Sequence, residues 1–355
     1  MPKDKSGLPA ISNPSKQANI LTNLISFFGA SGKESEVRDY ISRQVKPYVD
    51  RIWVDKTGNL IAHKKGRAPK VMLAAHMDEI GLMVKRIDSR GMIYCTAIGG
   101  LDPAAFLGSQ VHIKATKGLL HGFITTEEIS AGKFVSKIPE IEDVFVDTGL
   151  SKSQLAKLGV EIGTYVFLEA HTCCEGKQGL ILGKALDNRL GCYILIELAK
   201  LLKKSPCEIF LVFTVQEEFG MYGAKTSAFE IKPDWGIAVD TTHANDLFYD
   251  PSRWIGNGPC ITIKDGSFLS NFCLVEWMKT TAKKMKIPYQ LEATEQGTTD
   301  ATTIQTTRGG IPTAVLSIPV RNIHTTAGIA HMDDVRNAIR LLEAVMKNPP
   351  LKCVV

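Results

Sequence analysis

The chain has 355 residues, 44% hydrophobic and 22% charged, with 42 Lys and Arg against 37 Asp and Glu for a net charge of +5. That balance excludes wholesale disorder, and the length predicts two or three cores, or one large core carrying an insertion. The longest apolar runs, such as IFLVFTV at 209–215, fall far short of the ~20 residues that span a bilayer. Positive charge is spread along the chain and forms none of the stripes that track nucleic acid. The first twenty residues lack the apolar stretch of a secretory signal, so a cytoplasmic chain engaging neither membrane nor nucleic acid is expected. The eight cysteines (95, 173, 174, 192, 207, 260, 273 and 353) form no CxxC pair, and several sit in apolar runs. They read as reduced thiols.

The first dozen residues read as a loose tail. From about Lys16, Ile20, Leu21, Leu24, Ile25 and Phe28 have helical spacing, and a second helix over 34–46 carries Val37, Tyr40, Ile41 and Val45, ending before Pro47. RIWVD, NLIAHK and VMLAAH follow as short strands. After about Gly81 come LMVKRID, MIYCTAI, QVHIKAT, LHGFITT, VFVDTG and TYVFLEA, short and partly alternating, interrupted by one helical stretch, SKSQLAKLG. That texture predicts a small β module over 81–169.

Beyond about His171 helices and strands alternate again. Helix 188–204 leads to strand CEIFLVFTV, a short helix and strand WGIAVD. Helix 271–286, strand PYQLEA, a helix from about Thr299, strand TAVLSI and a final helix from about Asp333 complete the chain. Near-continuous apolar strands between helices argue an α/β fold with a mainly parallel sheet covered on both faces. Residues 1–80 and 170–355 would form that domain, with the β-barrel-like insertion between them.

The polar residues share a position. Ligands bind beyond the carboxyl ends of strands in open α/β sheets. His76 and Asp78 follow VMLAA, and Gln216, Glu217 and Glu218 follow IFLVFTV. Asp240 ends WGIAV, His324 lies just beyond TAVLSI, and Asp187 precedes a helix. Each alone has an ordinary explanation: a core histidine bonded to its neighbour, a helix cap, a solvated turn. Four strand ends and a helix start delivering imidazoles and carboxylates to one edge point instead to a metal site. Donors without thiolate suit Zn²⁺, Co²⁺ or Mn²⁺. Five converging ligands match two divalent ions sharing a carboxylate better than one. Of Glu217 and Glu218, one would coordinate and the other move protons, while Asp78 would orient His76.

The segments AAHMDEIGLMV (74–84), ALDNRLGCY (185–193), VQEEFGMYGA (215–224), VDTTHAND (239–246) and GTTDATTIQTTRGGIPTAVLSIPVRNIHT (297–325) resemble the tetrahedral or glutamyl aminopeptidases, dinuclear metallopeptidases some of which carry the name endoglucanase. DKTGNLIA (55–62) and VFVDTGLSKSQLAKLGVEIGTYVFLE (144–169) extend the likeness over nearly the whole chain. The resemblance implies two divalent ions, with His76, Asp187 and Asp240 on one, Glu218 and His324 on the second, and Asp187 bridging. It implies Glu217 as general base, Asp78 as the orienting carboxylate, short peptides as substrates, and a dimer-based homo-oligomer up to a dodecamer. Arg321, Asp300 and His243 are candidate substrate contacts; Arg253 and Lys184 are further cations that could set selectivity. TTEEISAGKF after Ile124 departs from the family's usual Gly-Ser-Lys-Pro-Pro-His-like segment, and Thr325-Thr326 and Thr299 replace residues common there. The rival readings are a glycoside hydrolase, a dinuclear carboxypeptidase or deacylase, and a shell protein with no activity.

Overall fold

The computed structural model describes residues 14–169, 173–174, 179–203, 205–247, 252–351 and 353. The N-terminal tail and His171 lie outside them. Helices Pro14–Ser26 and Ser35–Val45 form where apolar residues recur at helical spacing, and Val37, Tyr40, Ile41 and Val45 are buried. Pro47 follows in a single 3₁₀ turn, Lys46–Tyr48.

An eight-stranded sheet runs in the order Arg51–Val54, Leu60–Lys64, Cys207–Thr214, Arg67–His76, Trp235–His243, Thr313–Val320, Cys260–Lys264, Gln290–Ala293. Its centre, Cys207–Thr214 through Thr313–Val320, is parallel, as the unbroken apolar runs predict. Its flanks are mixed. The first two strands form an antiparallel hairpin, Leu60–Lys64 is antiparallel to Cys207–Thr214, and Cys260–Lys264 is antiparallel to Thr313–Val320. The hairpin follows from Asp55, whose Oδ1 accepts the backbone N–H groups of Thr57, Gly58 and Asn59, closing a turn too tight for a crossover.

Side-chain alternation explains the layers. Leu73, Ala75, Leu211, Phe213 and Val239 join one core with residues of helices Leu186–Leu201, Phe272–Met285 and Met332–Lys347. Met72, Ala74, Phe210 and Val212 face the opposite way, onto Ala224, Ala228 and Ile304. Helices therefore cover both faces. Val335, Ile339, Leu342 and Met346 of the last helix are buried in the first of these cores, as their stripe predicts.

Strands Gly81–Ile87, Ile93–Ile98, Phe145–Asp147, Gly118–Thr125, Gln110–Ala115 and Tyr165–Leu168 close into a six-stranded barrel. It has a core of its own, including Leu82, Val84, Ile93, Val111, Ile113 and Val166. Helix Lys152–Leu158 interrupts it, started by a reciprocal Ser151–Gln154 cap and ended by Gly159 at φ +82°. A three-stranded sheet of Cys173–Cys174, Leu180–Gly183 and Gly328–His331 went unanticipated, its strands being too short to show a period.

The thiol expectation needs one correction. Cys273 and Cys353 form a disulfide with Cα atoms 5.4 Å apart, joining residues 80 positions apart, a pairing no local spacing signals. Cys95, Cys192, Cys207 and Cys260 are free and buried. Among the described residues, no helix is long and apolar enough to cross a membrane.

Candidate metal centre

The parallel register sets the site. Thr214 pairs with His76, and Ala238 pairs with Ala74, so the strands carrying Glu217, His76 and Asp240 end at one level. His76 Nε2 lies 3.1 Å from Asp187 Oδ1, 3.5 Å from Asp240 Oδ1 and 3.8 Å from Glu217 Oε2. His324 Nε2 lies 3.2 Å from Glu218 Oε1 and 3.4 Å from Asp187 Oδ2. Two groups of potential ligands result, His76–Asp187–Asp240 and Asp187–Glu218–His324, each with donor atoms within 4.8 Å of one another. Asp187 belongs to both.

Asp187 is no helix cap: it opens Leu186–Leu201 with non-helical backbone angles, and its two oxygens face the two histidines. Asn188 anchors that start, donating to Val239 O at 2.9 Å and accepting from Gly191 N at 2.9 Å. Asp78 is fully enclosed. Its carboxylate accepts Ser31 Oγ–H at 2.6 Å and the Glu217 and Glu218 N–H groups at 3.1 Å, and Oδ1 lies 3.6 Å from His76 Nδ1. Asp78 thus holds the ring through its main-chain oxygen, 3.2 Å from His76 Nδ1, and the Glu217–Glu218 backbone through its carboxylate.

The electrostatics call for cations. Burial, with repulsion among the neighbouring acids, raises the pKa values of Glu217, Glu218 and Asp240, for Glu217 well above its ordinary value. Burial alone would lower His324, but the carboxylates of Asp187 and Glu218 beside it lift its pKa to about 10. His76 is raised in the same manner by Glu217, Asp187 and Asp240 against its desolvation. Glu218 Oε1 is shut from water without a regular hydrogen bond. Buried carboxylates and imidazoles so arranged fit divalent ions well.

The remaining expectations divide. His243 lines the adjoining cavity of about 510 Å³, as does Arg253. Asp300 sits behind the wall: it is 1% exposed and its Oδ2 accepts Thr214 Oγ1–H at 2.5 Å, while its neighbour Thr299 faces the cavity. Burial pushes its pKa up to about 7. Arg321 is committed to Asp246 through two bonds of 2.8 Å and does not line the cavity. Lys184 is buried with its Nζ 2.6 and 2.8 Å from Glu79, where it can select no substrate. Arg253 pairs with Glu292 at 3.3 Å.

Sequence reading also missed Ser31, Asn188 and Asn59. Asn59 accepts Val215 N–H at 3.0 Å and donates to Gly223 O at 2.9 Å, framing the turn that carries both glutamates. The only hint of it is its place in DKTGNLIA.

A family model described as M42 glutamyl aminopeptidase matches residues 58–341. The chain belongs to the M42 glutamyl aminopeptidase family. It is an aminopeptidase, and so a hydrolase. A lysyl aminopeptidase of Pyrococcus furiosus is 34% identical over 342 residues, covering 92% of this chain and 96% of that one. The structure of a TET aminopeptidase from a marine-sediment Thaumarchaeota archaeon superposes with TM-score 0.91 at 31% identity, covering 96% of this chain and 98% of that one. The Pyrococcus horikoshii TET1 peptidase, which can assemble into a tetrahedron or a large octahedral shell, gives 0.84 at 28% identity over 94% and 99%. A Thermotoga maritima structure bearing the name endoglucanase gives 0.75 at 31% over 92% and 96%. M42 membership implies divalent metal ions, and two groups of candidate ligands that share Asp187 are present.

Proposed function

We propose that this M42 aminopeptidase works through two divalent ions, Zn²⁺, Co²⁺ or Mn²⁺, held by His76, Asp187, Asp240, Glu218 and His324, with Asp187 shared. The observation that carries this reading is that Asp187 directs one oxygen to each histidine, 3.1 and 3.4 Å away. When bound, such ions polarise the scissile carbonyl and lower the pKa of water from 15.7 to about 7.

The protein's own groups do the rest. Glu217 stands beside the cluster but in neither ligand group, with its side chain 9% exposed. It takes the proton from the attacking water and delivers it to the departing amine. Burial, with repulsion from Asp240, Asp300 and Glu218, raises its pKa well above the ordinary glutamate value. Asp78 fixes the orientation of His76 and of the Glu217–Glu218 backbone. The cavity holds the first residue of a short peptide against a wall of Thr241, Thr242, Thr262 and Ser317, with His243 near its mouth. The free α-amine of the substrate pairs with the acidic edge of the cluster.

The catalytic α/β domain comprises residues 1–80 and 170–355, and the barrel insertion of 81–169 serves assembly into a dimer-based homo-oligomer. Peptides with free and acetylated N-termini, offered side by side, test the reaction class. Only the free peptides should be cleaved. Cleavage of both, or release of C-terminal residues, would transfer the site to a deacylase or carboxypeptidase; activity on cellulose that survives chelation would make it a glycosidase.

A further inference from the structure

We propose that the barrel carries a third divalent-cation site, separate from the cleft and formed by His112, His121 and Glu169. Strand register builds it. His112 and His121 stand directly opposite each other on the antiparallel strands Gln110–Ala115 and Gly118–Thr125. On the other side His112 faces Phe167, and Glu169 N donates to Gln110 O at 3.0 Å. Leu168 points into the barrel core, so alternation turns Phe167 and Glu169 to the outer wall that bears His112. Donor atoms of the three residues lie within 4.8 Å of one another.

The spacing is that of ligands around an ion. His112 Nε2 and Glu169 Oε2 are 3.4 Å apart. Donors held tetrahedrally at ~2.0–2.2 Å from one ion sit roughly 3.3–3.5 Å from each other. Among the described residues, Glu169 Oε2, which faces His112 Nε2, is shut from water with no regular hydrogen-bond partner, a rare condition in a folded protein. Phe28 packs on the His112 ring, centroids 4.8 Å apart, fixing its orientation. Burial lowers the His112 pKa and leaves the imidazole lone pair free to bind. Buried Lys184, whose charge acts on His112, is offset by Glu79. Two imidazoles and one carboxylate suit Zn²⁺ or Co²⁺, and exposed His121 leaves a fourth position open to water. An ion here would tie three barrel strands together.

The test counts ions on the full chain. Metal-stripped protein, its His121→Ala and Glu169→Ala variants, and an Asp187→Ala variant that disables the cleft are equilibrated with Zn²⁺, desalted and analysed by mass spectrometry. The parent should hold one ion more than either barrel variant, and both should keep their aminopeptidase activity. Asp187→Ala should still bind one ion, lost when His121→Ala is added. Equal counts in the parent and either barrel variant would overturn the site, as would an Asp187→Ala protein holding none. The Asp187→Ala arm reports on the barrel alone, so the outcome is independent of how the cleft reads.

Discussion

Glu217 and Asp78 are both carboxylates beside the same histidine, yet Glu217 reaches the cleft while Asp78 is enclosed and accepts three hydrogen bonds. Substituting each should therefore fail differently. Glu217→Gln should keep its metal and lose at least ~10²-fold in kcat, the scale of a missing proton carrier; steady-state kinetics with metal analysis checks this, and near-normal turnover would refute the role. Asp78→Ala should weaken metal binding by roughly 10–100-fold, as loss of a group that orients a ligand does, read by titration of stripped protein. Arg321, which the sequence offers as a candidate substrate contact, bonds Asp246, 75 positions away in sequence. Arg321→Ala should cost about 1–3 kcal/mol of stability and leave substrate preference unchanged. The Arg321 hydrogen bond, aided by others, lowers the Asp246 pKa. The pair's contribution is present above the unfolded value of ~3.9 and is lost as pH falls through the lowered folded value. Urea melts of both proteins should differ at pH 7 and converge in strong acid.

At the scale of elements, the central strands were legible because burial on both faces writes continuous apolar runs, and the polar residues at their ends marked the site. The barrel was legible from its short alternating runs. Short edge strands such as Gly328–His331 and Cys260–Lys264 were not, since four or five residues carry no period and take their order from partners far along the chain. The turn after Cys207–Thr214 is a similar case. Its glutamates were evident, but the residue that frames it, Asn59, bonds across 156 and 164 positions. Asn59→Ala should lower both stability, by about 1–3 kcal/mol, and kcat, because the glutamates lose their support; a drop in stability with kcat intact would separate the turn from catalysis. Close packing imposes equal demands at Gly191, where an added Cβ would lie 2.3 Å from Asn188 Oδ1 and 2.6 Å from Val239 O.

For the whole molecule, the cleft sits where sheet and barrel meet. Gly100, from the segment after the second barrel strand, lines the cavity, and a Cβ on neighbouring Gly99 would come within 3.1 Å of Glu218 Oε2. The barrel is thus part of the wall around the ligands, although its strand texture spoke only of a separate module. Pairing across such distances arises only on folding, which explains why the cavity's Thr-rich wall was not legible in the sequence. Chelation should abolish peptide cleavage, and Zn²⁺, Co²⁺ or Mn²⁺ should restore it. The most direct measurement is anomalous diffraction from crystals of the full chain loaded with Zn²⁺. Two peaks in the cleft are predicted, one ringed by His76 and Asp240, the other by Glu218 and His324, each touching a different oxygen of Asp187. A single cleft peak, or two that leave Asp187 unshared, would contradict the dinuclear centre.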